Sequence, residues 1–216
     1  MRPVKEIASV LESQNYSINN IICETLKKFK LKLLLQESGI KKEEGFSAVD
    51  ILTLLLMLPL MFLKNVHQLY KSEYGKKAAM QKDTLYRFKN NEWFSWRSLL
   101  YRVAKTFKKL VNPENKPHSG VSVFIVDDTT DQRTGYKIEN ISYVFDHVLR
   151  KTVYGFKILV LSFFDGISNI PLDFTVHTET KLGRKKAKAQ YKKEVDPKSP
   201  GGKRRKETKT SKIDQA

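Results

Sequence analysis

The chain has 216 residues and a formal net charge of +17, with 40 Lys and Arg residues against 23 Asp and Glu residues. Hydrophobic residues make up 40% of it, enough for the core of one large domain or two small ones. The basic excess favours a polyanionic partner, nucleic acid before an anionic membrane surface. A lone cysteine, Cys23, excludes an internal disulfide and is typical of the reducing cytoplasm, where we expect the protein to reside.

Residues 1–112 have the spacing of amphipathic helices, which predicts a helical region. Apolar residues recur at near-helical intervals over 18–36, and Ser47 with Asp50 fits a capping box at the start of the next helix. The apolar run 51–63 contains a proline and is shorter than the roughly 20 residues of a membrane span. We therefore expect a buried core helix there, and no membrane partner.

Segment 82–97 interleaves aromatic and basic residues, a pattern that nucleic-acid-binding surfaces use. Arg87, Lys89 and Arg97 are candidate phosphate contacts, with a tyrosine or tryptophan stacked on a base. The alternative is an amphipathic helix with its aromatic rings in the core and its charges in water. The aromatic residues fit that alternative better, whereas the basic residues fit both. A helix-turn-helix around 47–89 also stays open.

The pattern changes to that of strands after a turn-rich linker over 111–120. Three strands are expected, at 121–128, 154–164 and 168–177. Asp165-Gly166 is the signal for a hairpin between the last two, and 141–148 can form a short extended piece. Together with the helices, these strands predict the α+β class.

The first strand leads directly into two carboxylates. Val121 to Val126 are mostly β-branched or aromatic, which indicates a buried strand whose end delivers Asp127 and Asp128 to one place. Side chains alternate between the two faces of a strand, so only one of these acids faces a given pocket. One reason to hold a carboxylate there is a hard cation that acts on phosphate. The alternative is a turn, which Asp and Thr commonly begin.

The last 36 residues, 181–216, carry 14 Lys and Arg residues and only 4 Asp and Glu residues. This composition predicts a basic loop or a disordered tail. Its cationic runs would neutralise DNA phosphates, or they are simply solvated charge. The candidate DNA-binding residues of this segment are Arg184, Lys185, Lys186, Lys203, Arg204, Arg205 and Lys206.

Several short motifs, in a fixed order, resemble the insertion-sequence DDE transposases. They are Val126-Asp-Asp-Thr-Thr130, Gly155-Phe-Lys-Ile-Leu-Val-Leu161, Asp165-Gly166 and Ile170-Pro-Leu-Asp-Phe174, with further likeness at 196–206 and, less specifically, at 87–91. The resemblance implies an RNase H-like domain that starts with a three-stranded antiparallel meander. It also implies that the first strand ends in a catalytic, metal-binding acid, which maps to Asp128 with Asp127 as the runner-up.

The resemblance further implies Mg²⁺ or Mn²⁺ as cofactor, DNA element ends as partner, a homo-oligomer on that DNA, and cleavage and transfer of DNA strands in transposition and recombination. The family also needs a second Asp on a later strand and a Glu on a later helix. The acids that follow the third predicted strand do not stand in a strand-like context; they are Glu194, Asp196, Glu207 and Asp214. Three earlier acids are better explained as structural, namely Asp146, Asp165 and Asp173.

We therefore interpret the chain as the N-terminal portion of a truncated transposase that, alone, neither cleaves nor joins DNA. Its predicted parts are a helical DNA-binding region at 1–112, the start of an RNase H-like domain at 120–180 and a basic tail at 181–216. The alternative is a non-catalytic basic DNA-binding protein.

Overall fold

The computed structural model of the protein describes residues 16–76, 79–112, 121–134, 138–178, 193–208 and 210. The chain divides into two compact units between Phe94 and Ser95. Helices are combined with one open, four-stranded antiparallel sheet, which confirms the predicted α+β class. Within the described ranges, every helix is too short or too polar to cross a bilayer.

The described part of the first unit consists of helices. They are α1 (Tyr16–Lys28), α2 (Leu31–Glu37), α3 (Ala48–Leu60), α4 (Val66–Lys71), α5 (Glu73–Lys76) and α6 (Lys82–Lys89). The segment 18–36, which has helical spacing throughout, forms two helices, α1 and α2, because Lys30 between them adopts a left-handed conformation with φ of 51°. The periodicity of apolar residues does not report such a break.

Helix α3 confirms both the predicted capping box and the predicted core helix. Ser47 Oγ accepts a hydrogen bond from the Asp50 backbone N–H at 3.2 Å, and Asp50 Oδ2 accepts one from the Ser47 N–H at 3.3 Å. The helix ends at Leu60, one residue after Pro59; Phe62 then adopts a left-handed conformation with φ of 56°, and the Leu63 N–H donates to the Leu58 carbonyl oxygen at 2.9 Å. Its buried apolar side chains are those of Ile51, Leu52, Leu54, Met57 and Leu58.

The second unit contains the sheet. Its elements are α7 (Trp96–Val111), β1 (Val123–Gln132), β2 (Ser142–Asp146), β3 (Lys151–Phe164), β4 (Asn169–His177) and α8 (Pro200–Glu207). Strand β3 is central and pairs with β1, β2 and β4, always antiparallel. Gly155 pairs with both Gln132 of β1 and Ser142 of β2, so these two strands lie on opposite edges of β3. The three predicted strands are thus present, and β2 is the fourth, within the segment 141–148.

The turn between β3 and β4 confirms the predicted hairpin. Asp165 Oδ1 accepts hydrogen bonds from the backbone N–H groups of Ile167 at 3.0 Å and Ser168 at 2.7 Å. Gly166 has a φ of 96°, which glycine adopts without the steric cost that a Cβ imposes. Asp165 is therefore a turn residue, as its sequence context indicates.

Strand β1 differs from the prediction of a buried strand that ends at the two acids. It continues to Gln132, so Asp127 and Asp128 lie in its middle. It is also exposed: the side chains of Phe124 and Val126 are 69% and 45% accessible. The physical reason is that β1 lies at the edge of the sheet, where, within the described ranges, β3 is its one neighbour. Such an edge is an aggregation liability.

The unit boundary also differs from the predicted one at about residue 112. Helix α7 packs against β4 and therefore belongs to the sheet-containing unit. The predicted disordered tail contains α8, which is capped by Ser199: its Oγ accepts from the Gly202 N–H at 3.0 Å. At the other end of α8, the carbonyl of Thr208 accepts from the N–H of Thr178, just after β4. Residues 179–192 lie outside the described residues.

Candidate functional site

The carboxylate of Asp128 lies next to a buried lysine from the central strand. The register pairs Thr130 with Lys157, and Asp128 projects from the same face two residues earlier. Lys157 Nζ is 2.8 Å from Asp128 Oδ1 and donates to the Phe145 carbonyl oxygen at 3.0 Å and to Thr130 Oγ1 at 3.3 Å. The Lys157 side chain is 2% exposed, and that of Asp128 is 23% exposed.

These contacts make Asp128 the counter-ion of Lys157. An ammonium group has three N–H donors, and the three oxygens around Lys157 match that number. A buried charge is tolerated only when it is paired and hydrogen-bonded. The sequence-based prediction missed Lys157; the available signal was a single lysine inside the otherwise apolar run 156–161.

Asp127 points away from this cluster, as the two-residue repeat of a strand requires. Its side chain is exposed, and its Oδ1 accepts a hydrogen bond from the backbone N–H of Asp128 at 2.8 Å. Thr129, on the same face as Asp127, is exposed as well. The two consecutive acids are thus adjacent in sequence but do not converge on one site.

The other acids of the sheet make structural contacts. Asp131 pairs with Arg133 at 2.6 Å, and Asp146 Oδ1 accepts from two backbone N–H groups of the turn after β2. Within the described ranges, His, Cys, Asp and Glu residues do not form a group of three that suits a metal ion. The carboxylate of Asp128 is already neutralised by a buried ammonium, so the described residues do not fit the pair of metal ions that the resemblance implies.

Arg97, a predicted phosphate contact, is instead paired with two carboxylates. Its guanidinium forms a two-pronged contact with Asp173 of β4, and its Nη1 is 2.7 Å from Glu207 Oε2 of α8. The hydrogen bonds that Arg97 donates to Asp173 raise the pKa of Arg97; burial opposes this rise, and the negative charges of Asp173 and Glu207 add to it. Arg97 therefore ties α7 to β4 and α8, and its donors face protein oxygens.

Arg205, a second predicted DNA contact, is held in a similar way. Its guanidinium forms a two-pronged contact with Glu139, with Nη2 at 2.8 Å from Oε2. Burial lowers the pKa of Arg204, and the nearby positive charge of Arg97 lowers it further. By contrast, Lys203 and Lys206 of the same helix are exposed and remain candidates for contact with DNA. Arg184, Lys185 and Lys186 lie outside the described residues.

Helix α6 keeps the remaining two candidates, Arg87 and Lys89, on the surface of the first unit. Both side chains are exposed, while Leu85 and Phe88 of the same helix are buried. The helix is therefore amphipathic, with its cations outward. The structure brings Arg87 and Lys89 together on one short element, whereas Arg97 belongs to the second unit.

No protein-family model, curated protein or solved structure matches this chain.

Proposed function

We propose that the chain is part of an insertion-sequence DDE transposase with an RNase H-like sheet, and that its described residues bind DNA but do not cut it. The transposase-like motifs support this proposal through their places in the sheet. They lie on β1, β3, the hairpin and β4, and β1 and β4 each pair with β3 in the antiparallel direction. Asp128 lies on the first of these strands, although in its middle and not at its end, where the resemblance implies the catalytic acid.

The observation that separates binding from cutting in this proposal is the contact between Asp128 and Lys157. A carboxylate that already neutralises a buried cation is poorly suited to bind a metal ion in addition, because the ammonium would be left uncompensated. Strand cleavage by the family's chemistry needs metal ions held by several carboxylates. Binding to DNA needs only exposed cations, and the chain has those.

Among the predicted DNA contacts, those exposed on the described helices are Arg87, Lys89, Lys203 and Lys206. Side chains of this kind contact phosphate oxygens, which fix a protein on DNA without reading its sequence. Each neutralised phosphate releases counter-ions, so the affinity falls as salt rises. We therefore infer a DNA-backbone interaction driven by charge.

Fluorescence anisotropy with a labelled DNA duplex tests this function. If these four candidate residues each neutralise one phosphate, log K should fall with log salt concentration with a slope of about −3.6 between about 50 and 200 mM. In the control measurement, unlabelled duplex of the same sequence competes with the labelled duplex for the protein. Unchanged anisotropy at the lowest salt, or an affinity that salt does not alter, would contradict the proposal.

A second candidate is a basic DNA-binding protein with no relation to transposition, which the neutralised Asp128 also favours. A nicking assay on supercoiled plasmid with Mg²⁺ bears on both candidates. We expect the plasmid to stay intact with this chain alone. Magnesium-dependent nicking that disappears in Asp128→Ala would contradict the purely binding role and remove the second candidate.

A further inference from the structure

Two buried aromatic rings fix the turn that follows helix α6. In the sequence, one ring comes before an exposed tryptophan and the other comes directly after it. Phe88 near the end of the helix and Phe94 after the turn are both buried, and their rings meet edge to face with centroids 5.1 Å apart. Contacts of this geometry stabilise beyond simple burial of apolar area. The chain between the two rings, residues 89–93, is therefore held at both ends.

Trp93 lies in this turn, between the two buried rings in the sequence, and its side chain is 55% exposed. Asn91 Oδ1 accepts a hydrogen bond from the Trp93 backbone N–H at 2.9 Å, and the Asn91 N–H donates to the Phe88 carbonyl oxygen at 3.3 Å. These bonds and the two buried rings set the direction of the turn. The indole is thus presented to solvent by an ordered piece of backbone, although tryptophan is strongly buried in most proteins.

Cations surround a second ring, that of Tyr86, on the preceding helix. Lys82 Nζ and Lys89 Nζ lie 5.8 and 5.4 Å from the centroid of the Tyr86 ring. Positions 82, 86 and 89 are spaced by four and three residues, so they share one face of the helix. Lys82 Nζ is also 3.2 Å from His67 Nδ1, and Arg87 is exposed on the neighbouring surface.

We propose that the α6 surface, defined as Lys82, Tyr86, Arg87, Lys89 and Trp93, binds DNA that has unpaired bases. This inference rests on the proposed DNA-binding function and names its substrate class. The cations contact successive phosphates, and the indole of Trp93 stacks on a base. In an intact duplex the faces of the bases are covered by their neighbours, so the stacking requires a single-stranded or unpaired nucleotide.

Two acidic residues of the same segment, Asp83 and Glu92, reduce the positive charge of this surface without cancelling it. Asp83 lies in the first turn of α6, where the helix dipole favours a negative charge, and Glu92 has a partner within the protein. The three cations at 82, 87 and 89 outnumber them. Aromatic stacking tolerates any base sequence, so the surface should distinguish unpaired from paired DNA more strongly than it distinguishes one sequence from another.

Tryptophan fluorescence tests the inference directly, because the chain has only two tryptophans, Trp93 and Trp96. In the full-length Trp96→Phe variant, Trp93 is the sole tryptophan, and a single-stranded oligonucleotide should quench its emission. Trp93→Ala should weaken binding to that oligonucleotide about 5- to 100-fold and leave duplex binding nearly unchanged. Circular dichroism on both variants checks that they are folded.

The cations are tested by Arg87→Ala with Lys89→Ala, which should reduce the salt slope for single-stranded DNA by about 1.4. The matched control is Lys105→Ala with Lys109→Ala, which removes two exposed cations from α7. Quenching absent while DNA still binds, or an equal loss in the control pair, would overturn the inference and leave the DNA-binding function in place. Absence of binding to any DNA at low salt would overturn both.

Discussion

Replacing Asp128 by alanine is expected to lower the free energy of unfolding by about 3 kcal/mol, because removing one partner of a buried ion pair leaves the other uncompensated. The remaining partner would be Lys157, whose side chain is 2% exposed and whose nearest anionic oxygen is that of Asp128, at 2.8 Å. Urea denaturation followed by circular dichroism measures the change through the shift in midpoint.

Two further variants separate the ion pair from other effects of the mutation. Asp127→Ala is the matched control, because this neighbour is exposed and on the opposite face, and it should change stability by less than about 0.5 kcal/mol. The double variant Asp128→Ala, Lys157→Met should recover much of the loss, since no unpaired charge remains. Equal losses in Asp127→Ala and Asp128→Ala would contradict the ion pair.

Gly155→Ala is expected to destabilise the sheet by about 1–3 kcal/mol through overpacking. Gly155 is buried and pairs with β1 on one side and β2 on the other. A Cβ built at this position lies 2.3 Å from the carbonyl oxygen of Asp131 and 3.0 Å from Cα of Gln132. Because these are backbone atoms of the neighbouring strand, the strand itself must move.

This effect is measured by comparing the thermal unfolding of the Gly155→Ala variant with that of a separate control variant, Thr152→Ala. Thr152 is on the same strand but exposed, and its replacement should change stability by no more than about 0.5 kcal/mol. The close approach of β1 also gives a physical reason for glycine at the start of the motif 155–161. A Gly155→Ala protein as stable as the parent would show that β1 does not approach β3 in this way.

The features that the sequence predicted well depend on neighbours along the chain. The capping box of Ser47 and Asp50 and the turn of Asp165-Gly166 each involve residues within three positions of each other. Their hydrogen bonds join residues that are close in the sequence, so a short motif is enough to predict them. The alternation of side chains along a strand, which places Asp127 and Asp128 on opposite faces, is also predictable from neighbouring positions alone.

The features that the sequence did not reveal depend on distant partners. Arg97 meets Asp173 and Glu207, which are 76 and 110 positions away, so its candidacy for phosphate contact could not be judged from its own segment. The pairing of Lys157 with Asp128 depends on the register of two strands. The exposure of β1 likewise depends on what covers its faces and its outer edge, and strand propensity carries no information about that.

The most direct test of the proposed function is DNA binding with and without divalent metal. Anisotropy with a partly single-stranded DNA should show binding in EDTA at least as tight as in Mg²⁺ at matched ionic strength, for the native chain and for any folded Asp128→Asn protein. The reason is that exposed cations and not the Asp128 carboxylate hold the DNA, and Mg²⁺ competes with those cations for the phosphates. Binding that requires Mg²⁺ and is lost in Asp128→Asn would contradict the charge-driven contact. It would show that the Asp128 carboxylate binds a metal ion and does not serve as the counter-ion of Lys157.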